Sequence, residues 1–136
     1  MFYFNEGSLN LGEEWQDSTL NILSTKSDVS ITIAREHIPF GMNFVDFAEE
    51  QFDLIAKQLK GYQQSHRSTL KIDNLDAVLS EFNWSSPQGE MYQISIILNT
   101  PAHPIVLTAS SLKPIVSSQR EQLLAIFNTF KTRQAD

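Results

Sequence analysis

The sequence predicts an α+β domain, built from a largely antiparallel sheet of about six to seven strands and two main helices. Its 136 residues suit one domain, and no linker, repeat or low-complexity tract divides residues 1–136. Runs of strands separated by helices, without regular strand–helix alternation, are typical of this class. Side chains that alternate between two faces indicate strands at about 19–24, 28–36, 67–73, 76–85, 90–99 and 104–110.

Turn residues separate these strands. The aromatic N-terminus, "MFYFNEGSLNL", predicts a short hairpin that turns at Glu6-Gly7. "SSPQG" predicts a hairpin turn after the strand at 76–85, and "NTPAHP" predicts a second connection with two prolines. Asp73 and Asp76 could be imagined as a carboxylate pair for acid–base chemistry, but their place between two strands favours a turn.

Two segments carry helical periodicity. In the first, Asn43 caps the helix with Asp46 three residues on, Gly61 ends it, and one stripe contains Phe44, Phe47, Ala48, Phe52, Ile55 and Leu59. In the second, Ser118 and Glu121 predict a capping box. This helix is expected to bury Leu123, Leu124, Ile126, Phe127 and Phe130.

Composition excludes several classes of function. The net charge is −6, and Lys and Arg are scattered along the chain, so a nucleic-acid partner is not expected. No apolar run reaches the length of a membrane span, so the protein is expected to be soluble, with no direct membrane anchoring. Without cysteine and without a signal-peptide pattern, a cytoplasmic location is predicted.

No pattern in the sequence points to catalysis. His37, His66 and His103 lie far apart, and none has a partner at a recurrent metal-ligand spacing. The five glycines form neither a phosphate-binding loop nor a dinucleotide fingerprint, and there is no G-x-S-x-G elbow. The sequence therefore predicts a protein that is not an enzyme, with no catalytic residue, metal or cofactor.

We expect that the two helices leave part of one face of the predicted sheet uncovered. Leu20 and Ile22 lie on one side of their strand and Leu23 on the other, and two helices do not readily cover both faces of such a sheet. Some apolar surface should stay open or meet another molecule. The small residues Ser30, Thr32 and Ala34 fit either a solvated face or a groove floor. Gln51 and Gln93 fit either the core boundary or a binding site.

Several stretches resemble a known family. They are "NEGSLNLGEEWQDSTLNIL", "SITIARE", "FVDFAEEQFDLIAKQLKGY", "LDAVLSEFNW" and "PIVLTAS". Together they resemble the effector-associated (Eag) chaperones of bacterial type VI secretion, within the PsbP-like/DcrB group of folds. The most specific part is W-Q-D-x-[ST]-x-N-[IL], followed by a strand that ends in A-R-E.

The resemblance implies a non-enzymatic adaptor with a curved, PsbP-like sheet backed by helices. Such proteins pair as homodimers and hold the N-terminal transmembrane segments of a secreted effector, next to its PAAR domain, in the cytoplasm before export. Carried over to this sequence, the partner-binding residues are Leu20, Ile22, Ser30, Thr32, Ala34, Gln51, Ile55, Leu59, Gln93 and Leu107.

Two other hypotheses about function stay open. An immunity protein that blocks a toxin would suit the acidic charge, and it would bind the toxin's catalytic domain instead of a hydrophobic N-terminus. A small-molecule binder would need a closed concavity with convergent polar groups.

Overall fold

A computed structural model of the protein describes residues 2–4, 7–9, 20–24 and 29–132. The described residues form eight strands and two helices. In chain order these are β1 (Phe2–Phe4), β2 (Gly7–Leu9), β3 (Asn21–Ser24), β4 (Val29–Arg35), α1 (Phe44–Gln58), β5 (Gln63–Ile72), β6 (Leu75–Ser86), β7 (Gly89–Asn99), β8 (Pro104–Ser111) and α2 (Ser117–Asn128).

Six of the strands form one open antiparallel sheet in the order β3-β4-β8-β7-β6-β5. This sheet and the two helices confirm the predicted α+β class. β1 and β2 form a separate antiparallel pair in which Phe4 lies opposite Gly7, as the N-terminal hairpin prediction expects. The predicted turn residue Glu6 and the first residue of the predicted strand at 19–24 lie outside the described residues.

Two hairpins in the sheet close with two-residue loops. Asp73 and Asn74 join β5 to β6, and both have positive φ angles, 53° and 62°. This backbone is tolerated by Asp and Asn and is typical of hairpin turns. The turn role predicted for Asp73 is therefore confirmed, whereas Asp76 lies in β6, opposite Lys71 of β5. The "SSPQG" turn is also confirmed, because β6 ends at Ser86 and β7 begins at Gly89.

Each face of the sheet packs on one helix. On the first, called the α2 face, Leu123 and Phe127 of α2 are buried in one cluster with aliphatic residues of β4, β5, β6, β7 and β8. On the second, called the α1 face, buried residues of α1 pack on Val78 and Ile97. The helix supplies Phe44, Phe47, Ala48 and Phe52 to this second core.

Local sequence determines both ends of α1. The side-chain oxygen of Asn43 accepts a hydrogen bond from the Asp46 amide at 2.9 Å, and the Asn43 amide donates to the Asp46 carboxylate at 2.9 Å. This confirms the predicted cap. Beyond the helix, Gly61 has a φ of +67°, and a Cβ placed there would lie 2.9 Å from the Ser85 hydroxyl. Only glycine meets both conditions at this position without strain.

Two predictions about α2 are wrong. The helix begins at Ser117 after Val116, which makes no side-chain capping bond. Ser118 therefore lies inside the first turn and does not cap the helix with Glu121. Ile126 is also 51% exposed, because α2 directs Leu123 and Phe127 toward the sheet. Leu124 and Phe130 are partly buried at the edge of the same core.

The edge strand β5 is irregular and charged. Its register with β6 shifts between Gln64 and His66, which marks a bulge. Beside the bulge, the Arg67 guanidinium donates to Glu49 at 2.9 Å and to Asp53 at 3.0 Å, linking β5 to α1. Burial opposes the charge, but the hydrogen bonds to Asp53 and Glu49 raise the pKa of Arg67.

Candidate functional site

Helix α1 covers only part of its face. Its buried residues pack on Val78 of β6 and Ile97 of β7, with Val106 of β8 partly buried at the margin. Beyond that margin, the rest of the α1 face has no helix over it in the described part of the chain. We call this region the open half-face; its residues are Leu20, Ile22, Ser30, Thr32, Ala34, Thr108 and Ser110.

Strand register arranges the open half-face in rows. Directly opposite residues in an antiparallel pair lie on the same face. One row runs from Ile22 through Thr32, Thr108 and Ser95. The next row runs through Ser30, Ser110 and Gln93, and a third, more apolar row runs through Ala34, Val106 and Ile97. The described residues in these rows have small, hydroxyl or aliphatic side chains, with an amide at Gln93, and none of them is charged.

Exposure is greatest at the edge strand β3. Ile22 is 63% exposed and Leu20 is 51% exposed, although both lie on the face that carries a hydrophobic core further along the sheet. Ser30, Thr32 and Ala34 are half-buried. A contiguous surface of this kind on the face of a sheet can receive another apolar element.

A row of hydrogen bonds joins three strands at the border of the open half-face. The Trp84 indole nitrogen donates to the Gln93 side-chain oxygen at 2.8 Å, and the Gln93 amide donates to the Ser110 hydroxyl at 2.9 Å. Ser95 and Thr108 share a further bond of 2.9 Å. The partners of the Gln93 amide thus come from within the chain. Trp84 was not among the predicted site residues, because its contact with Gln93 depends on strand register.

Two predicted site residues lie on α1, and a third directly follows its end. Gln51 and Ile55 are one turn apart on the helix, Leu59 is the C-cap residue just beyond it, and all three are half-buried. Ile55 packs against the core beneath α1. These residues belong to the helix side of the α1 face and not to the strands beneath the helix.

Leu107 is not brought together with the other predicted residues. It lies opposite Ile33 in the register of β4 and β8, and it is buried in the core under α2. Its side chain is therefore on the α2 face, because successive strand side chains alternate. The β8 residues on the α1 face are Val106, Thr108 and Ser110. The alternation in "PIVLTAS" separates these two sets, but it does not tell which set faces α1.

The described residues contain no group of three or more His, Cys, Asp or Glu side chains that could hold a metal ion. Neither α1 nor α2 has the length and apolar character of a membrane-spanning helix.

The chain has the fold of an α+β domain with an open half-face, and comparison with known proteins gives its family. The chain belongs to the DcrB family, whose model matches residues 6–129. It is also 26% identical over 89 residues to the protein named Effector EagT6 from Pseudomonas aeruginosa, an alignment that covers 62% of each chain. The matched region thus spans less than two thirds of that relative. These findings confirm the resemblance to DcrB-related Eag proteins.

A solved structure shows the same fold. The crystal structure of PA94, a Pseudomonas aeruginosa protein described as being of unknown function, superposes with a TM-score of 0.77 and 19% sequence identity. The match covers 98% of this chain and 96% of that chain. The arrangement of strands and helices is therefore shared over nearly the whole length.

Proposed function

We propose that this protein is a cytoplasmic, non-enzymatic chaperone of a type VI secretion effector. In this proposal it binds the N-terminal transmembrane helices of a PAAR-containing effector and shields them before loading and export. Membership of the DcrB family and similarity to the protein named Effector EagT6 support the general class. The observation that carries the proposal is the open half-face beside α1, with Ile22 63% exposed.

The energetics of an apolar helix in water explain why such a surface is useful. Each square ångström of apolar surface exposed to water costs about 25 cal/mol, so an unshielded transmembrane helix aggregates or inserts into the nearest membrane. Ser30, Thr32 and Ala34 are small enough to let a helix backbone approach closely, as small residues do between membrane helices. Ile22 and Val106 add aliphatic surface on either side of this strip.

Hydroxyl groups on the open half-face supply selectivity in this proposal. Thr32 and Ser30 lie on the floor in register with Thr108 and Ser110. A polar group on the client helix gains a hydrogen bond only where it meets such a hydroxyl. This favours one register of the client helix and disfavours other apolar segments. None of the described residues of the open half-face is charged, which avoids burying an unpaired ion against the client.

Two neighbouring residues of β3 provide a test of client binding at the open half-face. Ile22 and Leu23 are 63% and 56% exposed, but they lie on opposite faces of the same edge strand. We expect Ile22→Asp to abolish co-purification with the hydrophobic N-terminal segment of a PAAR-containing effector that the wild-type protein captures. Leu23→Asp, the matched control, should retain capture. Circular dichroism on both variants checks that the domain stays folded.

The outcomes separate the alternatives. Equal capture by the two variants would contradict binding at the open half-face. Capture through the toxin domain, without the hydrophobic segment, would favour an immunity protein. The homodimer in the proposal predicts a light-scattering mass of twice the 15.5 kDa of one chain.

A further inference from the structure

Two of the three histidines of the chain lie next to each other at the end of the β4–β8 pair. The ring centroids of His37 and His103 are 6.4 Å apart, and the ring planes are tilted by 51°. His37 follows β4, whereas His103 directly precedes β8. The two rings therefore meet only because these strands pair, and their separation along the chain conceals the contact.

Strand register explains why the two rings meet. Arg35, the last residue of β4, lies opposite Ile105 of β8. The Glu36 amide then donates to the Pro104 carbonyl at 2.9 Å, which continues the same register by one residue. The two histidines come next along the paired segments. Opposite residues of an antiparallel pair have their side chains on the same face, so this register brings the imidazoles together.

The backbone of both histidines is held by its neighbours. The Thr100 hydroxyl donates to the His103 carbonyl and accepts from the His103 amide, which closes the turn before β8. Pro104 directly follows His103, and a residue before proline is restricted to extended backbone. On the other segment, Ile38 directly follows His37 and packs against the core under α1. The pair is therefore placed before any ligand binds, which lowers the ordering cost of binding.

Both imidazoles can accept an external ligand. Neither ring makes a hydrogen bond within the described part of the chain, whereas the ring of His66 in β5 lies 3.1 Å from the Ser68 hydroxyl. Bonds of about 2.0–2.1 Å from two imidazoles to one metal ion, in adjacent coordination positions, bring the ring centroids to about 5 Å. The observed 6.4 Å needs only a side-chain rotation, and His37 is exposed and can rotate.

The groups around the pair determine which cations fit. No third His, Cys, Asp or Glu joins the two imidazoles among the described residues. Oxygen-seeking Mg²⁺ and Ca²⁺ are therefore not expected to bind, whereas imidazole suits Cu²⁺, Ni²⁺ and Zn²⁺. Arg35 and Lys131 line the cavity beside His103. Their positive charges weaken the binding of all divalent cations alike, so they limit the affinity without changing the order of preference.

We propose that His37 and His103 form a two-imidazole site for one divalent transition-metal cation, with Cu²⁺ preferred over Ni²⁺. Histidine is the commonest metal ligand in proteins, and the order of preference is the general one for divalent ions of this series. The protein supplies two ligands, and water completes the coordination. Neither histidine belongs to the open half-face, so the site does not rest on the proposed chaperone function.

The test is calorimetry on the untagged full chain with NiCl₂ as the probe. We expect one Ni²⁺ to bind per chain, Cu²⁺ to bind more tightly, and Mg²⁺ not to bind. His37→Asn should weaken Ni²⁺ binding by about tenfold or more, because the second imidazole no longer acts at a high effective concentration. His66→Asn is the matched control and should leave binding unchanged, since β5 is the opposite edge strand of the sheet from β3.

Nuclear magnetic resonance locates the bound metal. Broadening by Cu²⁺ that is confined to the ring signals of His37 and His103 would support the site, whereas equal broadening at His66 would overturn it. Equal Ni²⁺ affinity of wild type and His37→Asn, or no saturable binding by wild type, would overturn it as well. Circular dichroism checks that each variant is folded. If His103→Asn unfolds the turn before β8, the result with exposed His37 alone decides.

Discussion

Glu81 in β6 and Arg120 in α2 form a two-point ion pair that joins the sheet to the second helix. The Arg120 Nε and Nη2 atoms lie 2.5 Å and 2.7 Å from the two carboxylate oxygens of Glu81. The Glu81 side chain is only 9% exposed, whereas that of Arg120 is 40% exposed. The hydrogen bonds to Glu81 raise the pKa of Arg120, although partial burial opposes the shift.

Removal of Arg120 should destabilise the domain. Arg120→Met leaves the Glu81 carboxylate nearly buried without its partner, and we expect a loss of about 2 kcal/mol in the free energy of unfolding. This is below the usual cost for a fully buried pair because solvent reaches the guanidinium. The measurement is urea denaturation. The double variant Glu81→Met/Arg120→Met is the control and should recover part of the loss; a larger loss in the double variant would contradict an ion-pair effect.

Substitution of Gln93 should separate stability from client binding. Gln93→Leu removes the acceptor of the Trp84 indole, and we expect a loss of about 1–2 kcal/mol in the free energy of unfolding. Ser110→Ala removes only one of the two bonds made by Gln93 and should cost less, about 0.5–1 kcal/mol.

Both variants can then be tested for capture of the client segment. Because the partners of Gln93 are Trp84 and Ser110, we expect Gln93→Leu to reduce capture less than Ile22→Asp does. If Gln93→Leu abolished capture while the domain stayed folded, Gln93 would instead be a direct contact for the client.

Asp73 should make the stability of the domain depend on pH in the acid range. The hydrogen bond from the Thr132 amide is the main cause that lowers the pKa of Asp73 below its ordinary value of 3.8. A lowered pKa in the folded state means that the Asp73 contribution is fully present above pH 3.8 and is lost as the pH falls through the folded-state pKa.

The test compares wild type with Asp73→Asn, since Asn tolerates the positive φ of this turn. The difference between their urea midpoints should be present at neutral pH and shrink steadily below pH 3.8. Parallel midpoint curves across this range would show that the charge of Asp73 does not contribute.

Features set by neighbouring residues could be predicted from the sequence. The cap of α1 needs only Asn43 and Asp46, and the turn at Asp73-Asn74 needs only two residues that tolerate positive φ. The same local rule failed at α2, where Ser118 and Glu121 match a capping box but the helix begins at Ser117, two residues earlier than that motif predicts. A capping motif identifies a helix start to within about a turn, and tertiary packing selects the first residue.

Features set by distant residues could not be predicted in this way. Arg120 and Glu81 are 39 positions apart, and Gln93 and Ser110 are 17 apart, so their contacts exist only once the strand order is known. Leu107 illustrates the same limit for the candidate site. Alternation showed that Leu107 and Thr108 lie on opposite faces, but only the placement of α1 and α2 decides which face carries the open surface.

The bulge in β5 affects how readily other protein chains can pair with the edge of the sheet. A flat, regular edge strand offers a continuous row of backbone groups on which other chains can polymerise. The register shift between Gln64 and His66 breaks that row at one end of the sheet, and Arg67 and Lys71 place charge beside it. At the other end, β3 is only four residues long. Neither edge is a good template for fibril growth, so the sheet can leave half a face open without recruiting strands from its neighbours.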